Sequence, residues 1–188
     1  MGSGGTHDRA NHVSNASLYS YLAYHCIHYP VRHYLEIGTR DGDSLRVVLE
    51  NAGDLLSVWV ADIWGSDYGG TGRGSHQHID QLLDDFNFDG RRAFLDGNSR
   101  DTIPALMPEK AEAFDLVLVD GDHSYEGGMA DLDNTWPLVR PGGCVVFHDI
   151  THPAHLDLRK CFDDFVGKHR CQTEVIAEPY GVGVAWKK

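Results

Sequence analysis

A chain of 188 residues with 28 acidic and 16 basic side chains carries a formal net charge of −12. A surface of that sign repels phosphate backbones and argues against nucleic acid as a partner. The length suits one domain with a full core. No apolar stretch reaches the roughly eighteen residues of a membrane span, and the start lacks a charged-then-apolar leader. The expectation is a cytoplasmic protein with no membrane partner. The four cysteines, Cys26, Cys144, Cys161 and Cys171, show no CxxC spacing. They read as reduced, mostly core thiols, with a Cys161 to Cys171 bridge as the alternative.

In chain order, residues 1–12 read as a flexible polar start and 13–188 as a single domain. A helix is predicted at about 14–29 from Leu18, Leu22, Ala23 and Cys26, with Pro30 as its stop. His33-Tyr34-Leu35-Glu36-Ile37-Gly38 reads as the first strand, turning through Thr39-Arg40-Asp41-Gly42 into a helix with Leu45, Val48, Leu49 and Ala52 on one face. A second strand, Ser57 to Ala61, ends in Asp62. The glycine-rich run 64–75 reads either as a mobile lid or as a plain connection. Then come a helix with Ile79, Leu82, Leu83 and Phe86, a third strand around Ala93-Phe94-Leu95, and the turn Asp96-Gly97-Asn98-Ser99 into a helix through Ile103, Leu106 and Met107.

The unit that organises the rest runs from Phe114 to Asp149. Phe114-Asp115-Leu116-Val117-Leu118-Val119 ends in Asp120-Gly121-Asp122-His123, and Cys144-Val145-Val146-Phe147 ends in His148-Asp149. Unbroken apolar runs are what strands covered on both faces require. Between them Met129, Leu132, Trp136 and Val139 fall at helical spacing, closed by Pro141-Gly142-Gly143. The βαβ reading places both acidic clusters at the carboxyl edge of a parallel sheet, where open α/β sheets bind their ligands. A last helix at about 156–168 precedes two strands, Thr173 to Ala177 and Val182 to Trp186, linked too tightly for a parallel crossover. The predicted fold is α/β: a Rossmann-like, doubly wound, seven-stranded, mostly parallel sheet with an antiparallel last strand and helices on both faces.

Glu36-x-Gly38-x-x-x-Gly42 is a strand, glycine turn and helix that would bring a nucleotide-like ligand close to bare backbone. Asp62, ending the next strand, is placed to take ribose hydroxyls. Dinucleotide spacing fails, because Arg40 stands where a glycine should admit the pyrophosphate. Glu36, Asp41, Asp43 and Asp62 would repel a diphosphate and favour a cationic ligand without phosphate, as S-adenosylmethionine is.

These motifs, together with Asp96-Gly97-Asn98-Ser99, the run from Phe114 through Asp120-Gly121-Asp122-His123-Ser124-Tyr125, and Pro141-Gly142-Gly143, resemble the class I S-adenosylmethionine-dependent methyltransferases over about residues 33–149. The Asp-Gly-Asp-His-Ser-Tyr run resembles the branch of catechol-type, cephamycin and macrolide-sugar O-methyltransferases. The resemblance implies cofactor contacts from Glu36, Gly38 and Gly42, from Asp62 with Ile63 beside it, from Gly97, Asn98 and Ser99, and from Asp120. It also implies a divalent cation, magnesium or manganese first, held by Asp120 and Asp149. His148 stands where the family has another acid; an imidazole there suits manganese, iron or zinc, or else turns into a helix layer and ligates nothing. His123 occupies the place of a catalytic base, working with Asp120, or else orients the substrate or caps the next helix. His152 and His155 read as loop and helix-start residues.

The function so implied is an S-adenosylmethionine-dependent O-methyltransferase, divalent-metal-assisted, acting on a small hydroxylated molecule: a sugar, a phenol or a natural-product intermediate. The rivals are a metal-dependent hydrolase and a non-catalytic S-adenosylmethionine-binding protein. A homodimer through the N-terminal helix is a further expectation.

Overall fold

A computed structural model describes residues 16–65, 74–177 and 180–188. The predicted flexible start, the middle of the glycine-rich run and part of the last hairpin link lie outside the described residues. The elements are α1 (Ala16–His28), β1 (His33–Ile37), α2 (Asp43–Asn51), β2 (Ser57–Asp62), α3 (His76–Asp85), β3 (Arg91–Asp96), α4 (Ser99–Thr102), β4 (Phe114–Val119), α5 (Tyr125–Thr135), β5 (Val139–His148), α6 (Asp157–His169), β6 (Gln172–Ile176) and β7 (Val182–Trp186), with 3-10 turns at Pro104–Leu106 and Trp136–Leu138.

The strands form one sheet in the order β3-β2-β1-β4-β5-β7-β6. β1 to β5 are mutually parallel, and β7 runs antiparallel to both β5 and β6. The predicted reversed last strand is therefore present, and it is the sole reversed strand of the described sheet. Alternate residues of the central strands serve opposite faces. Tyr34, Val58, Val60, Leu116, Leu118, Cys144 and Val146 pack with α1, α2 and α3, while Leu35, Ile37, Trp59, Val117, Val119, Val145 and Phe147 pack with α5 and α6. That two-sided burial is why β4 and β5 lack polar alternation. All four cysteines are free thiols, three of them buried, so the alternative bridge is absent. No described helix is long and apolar enough to cross a membrane.

Two predicted helices are shorter than their periodicity implied. Pro104 interrupts the one through Ile103, Leu106 and Met107: α4 stops at Thr102 and a 3-10 turn takes over, since a helix-interior proline removes an amide donor and clashes with the preceding turn. The helix through Met129 and Leu132 ends at Thr135, before Pro137. Val139, expected on that helix, instead opens β5 and pairs with Phe114. Pro141-Gly142-Gly143 accordingly forms an irregularity inside β5: the β4–β5 register passes from Phe114↔Val139 to Leu116↔Cys144. A side chain at Gly143 would press to 2.8 Å on the Asp115 carbonyl. Asp115 itself is buried at the amino edge, accepting from the backbone amides of Arg32 at 2.8 Å and His33 at 2.7 Å and pairing with Arg140.

Candidate active site

The strand order reverses between β1 and β4, the point at which open α/β sheets bind ligands beyond the carboxyl ends of their strands. Backbone bonds continue past the strand ends and tie this rim together: Gly38 donates to Ala61 at 2.9 Å, Gly97 to Asp62 at 3.0 Å and Asp120 to Ile37 at 2.9 Å. Gly38 has φ +83°, and a Cβ there would overlap the carbonyl group of Asp120. Only glycine lets the first turn lie this close to the end of β4. Gly42, also at φ +83°, meets α3: a Cβ would come to 2.8 Å from both Ile79 Cδ1 and Leu82 Cδ2.

The cofactor residues named from the sequence fall along this rim in the order of the strands. Glu36 lies beneath the turn, fully buried, accepting from the Tyr34 hydroxyl at 3.0 Å and from the Ser44 hydroxyl. Burial pushes its carboxyl up to about 7, against the pull of those two hydrogen bonds. Those two hydrogen bonds fix its carboxylate under the turn. Asp62 is half-buried and held from both sides, accepting from the amides of Arg40 at 3.0 Å and Trp64 at 2.8 Å. Ile63 follows it, exposed. Gly97 has φ +125°, Asn98 caps α4 by accepting from the Arg100 amide at 2.9 Å, and Ser99 opens that helix. The rim is thus a bare-backbone turn followed by fixed acids, with Asp96 tied to the Trp64 indole at 2.7 Å. Such a rim fits a cationic adenosyl cofactor and opposes a phosphate-bearing one.

Next to it, β4 and β5 deliver Asp120, His148 and Asp149. Adjacent parallel strands lie about 4.8 Å apart, and the register Val119↔Phe147 puts the following residues side by side. His148 Nδ1 is 3.1 Å from Asp120 Oδ1 and 3.5 Å from Asp149 Oδ1. One ligand atom from each of the three residues lies within 4.8 Å of the others. His148 therefore faces the acids and not the helix layer. Asp149 adopts φ +60°, a conformation costly for a residue with a side chain and a frequent mark of functional sites. Its Oδ1 is buried without a hydrogen-bond partner among the described residues, as is His148 Nε2. An orphaned carboxylate oxygen in a nest of two acids and an imidazole fits a divalent cation.

His123 stands on the β4–α5 turn, which is fixed by Asp122 accepting from the Ser124 amide at 2.8 Å and by Ser124 capping Gly127 at 3.0 Å. The cap of α5 is thus Ser124, which leaves the imidazole of His123 to the site. Its Nε2 lies 3.5 Å from Asp120 Oδ1 and 3.3 Å from Asp149 Oδ2. Burial would depress both imidazoles, yet the neighbouring carboxylates outweigh it and raise His123 and His148. Burial would likewise raise Asp120, but His148 and His123 hold it below the usual carboxylate range. Asp149 is pushed up, chiefly by burial and further by Asp120.

Sequence reasoning set one residue aside that the structure brings in. His155 belongs to the loop before α6, as expected, but successive turns, His152 N to Asp149 O and His155 N to His152 O, both 3.0 Å, carry its ring to 4.4 Å from that of His123. The His-x-x-His spacing just beyond Asp149 was the available signal.

A seven-stranded sheet with this order, a reversed β7, a glycine turn after β1 and an acid ending β2 constitutes the class I S-adenosylmethionine-dependent methyltransferase fold. The family profile described as a methyltransferase domain matches residues 35–150, and the chain belongs to that family. Among curated proteins, 8-demethyl-8-(2,3-dimethoxy-alpha-L-rhamnosyl)-tetracenomycin-C 4'-O-methyltransferase of Streptomyces olivaceus is 29% identical over 170 residues, covering 79% of this chain and 62% of the relative. The uncharacterized protein R132 of Acanthamoeba polyphaga mimivirus is 26% identical over 120 residues, covering 62% of this chain and 50% of its own. The chain therefore spans between half and about three-fifths of the length of these relatives. Among solved structures, the TDP-rhamnose 3'-O-methyltransferase CalS11 of calicheamicin biosynthesis superposes with a TM-score of 0.69 at 16% identity, covering 94% of this chain and 80% of that one. An O-methyltransferase from Bacillus cereus in complex with SAH gives 0.67 at 17% identity, covering 100% and 93%. At such identities the likeness speaks for the fold.

Proposed function

We propose that the protein transfers a methyl group from S-adenosylmethionine to a hydroxyl of a small molecule, with a divalent cation at Asp120, His148 and Asp149, and that the acceptor is a sugar hydroxyl of a glycosylated natural product. The observation that carries this reading is the convergence of those three side chains within 4.8 Å, on the strand end that Gly38 touches. The sugar is supported by the Streptomyces relative and by CalS11, both of which are rhamnose O-methyltransferases.

When bound, S-adenosylmethionine supplies an electrophilic methyl on a sulfonium, and the cation supplies a Lewis acid that lowers the pKa of an attached hydroxyl. Asp120, Asp149 and His148 Nδ1 would hold the ion. The first turn and Asp62 would fix the cofactor beside it, so the chain's main contribution is orientation and charge placement. Asp120 and Asp149 are near enough to His123 Nε2 to aim this ring at an acceptor oxygen. From there, neutral His123 can take the hydroxyl proton as the new carbon–oxygen bond forms.

Calorimetry with S-adenosylhomocysteine, with and without magnesium or manganese, paired with transfer of labelled methyl to rhamnosylated acceptors, tests the reading. Cofactor binding in both conditions and turnover in metal alone are expected. Failure to bind S-adenosylhomocysteine would reject it, and full turnover in chelator would reject the metal.

A further inference from the structure

We propose that His123, Asp149 and His155 form a second seat for a divalent ion of intermediate hardness, zinc above all, and that filling it stops methyl transfer by engaging the ring nitrogen of His123. The inhibitory half rests on the function proposed above; the seat itself does not.

One ligand atom from each of these residues lies within 4.8 Å of the others, as in the first cluster. The two donor sets differ in kind. Asp120, Asp149 and His148 offer two carboxylates and one imidazole, whereas the second set offers two imidazoles and one carboxylate. Oxygen-rich sets hold hard ions such as magnesium, and imidazole-rich ones hold zinc or cobalt. Asp149 has an oxygen for each side: Oδ2 stands 3.3 Å from His123 Nε2, and Oδ1 stands 3.5 Å from His148 Nδ1. Oδ1 is the orphaned atom of a residue only 7% exposed. Two ions can thus share Asp149 as a bridge, an arrangement common to paired-metal sites about 3.5–4 Å apart.

His155 has no other evident task. The turn that carries it is closed by backbone bonds at 3.0 and 3.2 Å, and its ring lies against those of His123 at 4.4 Å and His152 at 4.6 Å. Among the described residues no side chain hydrogen-bonds to its ring, and one of its nitrogens lies within 4.8 Å of a ligand atom of His123 and of Asp149. The strongly negative chain draws cations toward the cleft. An ion seated on His123 Nε2 displaces the proton that this nitrogen shares with the two carboxylates and confines the ring proton to Nδ1, so neither nitrogen is left to take the acceptor's proton.

The test titrates the metal-free full chain with cobalt(II), following its visible absorption and its binding heat, in wild type, His155→Ala and His152→Ala. Two equivalents are expected for wild type and His152→Ala, and one for His155→Ala. In the methyl-transfer assay, wild-type activity should fall at least tenfold as the second equivalent of zinc is added. His155→Ala should keep the magnesium-supported wild-type rate and lose that step. A single equivalent in wild type, or two in His155→Ala, overturns the seat. Two equivalents with undiminished turnover overturn the inhibition. A chain that shows no methyl transfer fails the earlier reading, and the cobalt stoichiometry still decides this one.

Discussion

Asp120 Oδ1 and His148 Nδ1 are 3.1 Å apart, although they end different strands and are separated by a whole βα unit. The contact is a product of sheet register: the pair Val119↔Phe147 sets the next two residues side by side at the strand ends. Their placement thus comes from the two-sided core beneath them, in which Val119, Val145 and Phe147 are buried.

Asp120→Asn isolates the charge, since it keeps the shape and removes the acid. Turnover should drop at least a thousandfold, about 4 kcal/mol of barrier, while S-adenosylhomocysteine affinity changes by less than a few-fold. Steady-state kinetics beside calorimetry checks both. Activity retained with cofactor binding lost would reverse the assignment of Asp120.

Removal of metal should act on the same step. Dialysis against chelator is expected to silence the enzyme without unfolding it. Manganese should restore activity at lower concentration than magnesium, because His148 adds an imidazole to the set. A dose–response series over the two ions reads the order, and magnesium restoring activity at the lower dose would place His148 outside the ligand set.

Gly38→Ala should be among the most damaging single-methyl changes in the chain. The new Cβ would meet the Asp120 carbonyl at a backbone angle of +83°, combining left-handed strain with overpacking. Each costs about 1–3 kcal/mol, so a loss of about 3 kcal/mol or more is expected in denaturant melts. Gly53→Ala is the control, since nothing lies within 4 Å of that position.

The sheet was legible because β1, β2, β4 and β5 are buried on both faces, and such strands announce themselves as apolar runs ended by glycine or an acid. The positions of Asp120 and Asp149 followed from strand ends alone. Helix ends were less legible. Met129, Leu132, Trp136 and Val139 keep helical spacing across Pro137, but Val139 gains a ladder partner in Phe114, a non-local contact that periodicity cannot report. His155 was missed for a similar reason. Its approach to His123 needs two consecutive turns after Asp149, and loop geometry of that kind leaves no apolar pattern behind.

His25 supplies a stability test remote from the cleft. It is 2% exposed, its ring stacked on Tyr29 at 4.9 Å and Trp186 at 5.2 Å, with the Tyr21 hydroxyl 3.4 Å from Nδ1 and Cys144 Sγ at 3.9 Å. Burial pushes its imidazole down to about 4, with Asp115 pulling weakly the other way. The unfolded chain takes up this proton near pH 6.5, whereas the folded chain refuses it until near pH 4. More protons are then bound by the unfolded state throughout that window, so stability must decline as pH falls through it. The full contribution is present above pH 6.5, and about 3 kcal/mol is gone by pH 4. His25→Leu removes the titrating group, so chemical melts of the two proteins from pH 7 to pH 4 should converge as the wild type weakens; parallel curves would mean that His25 titrates alike in both states.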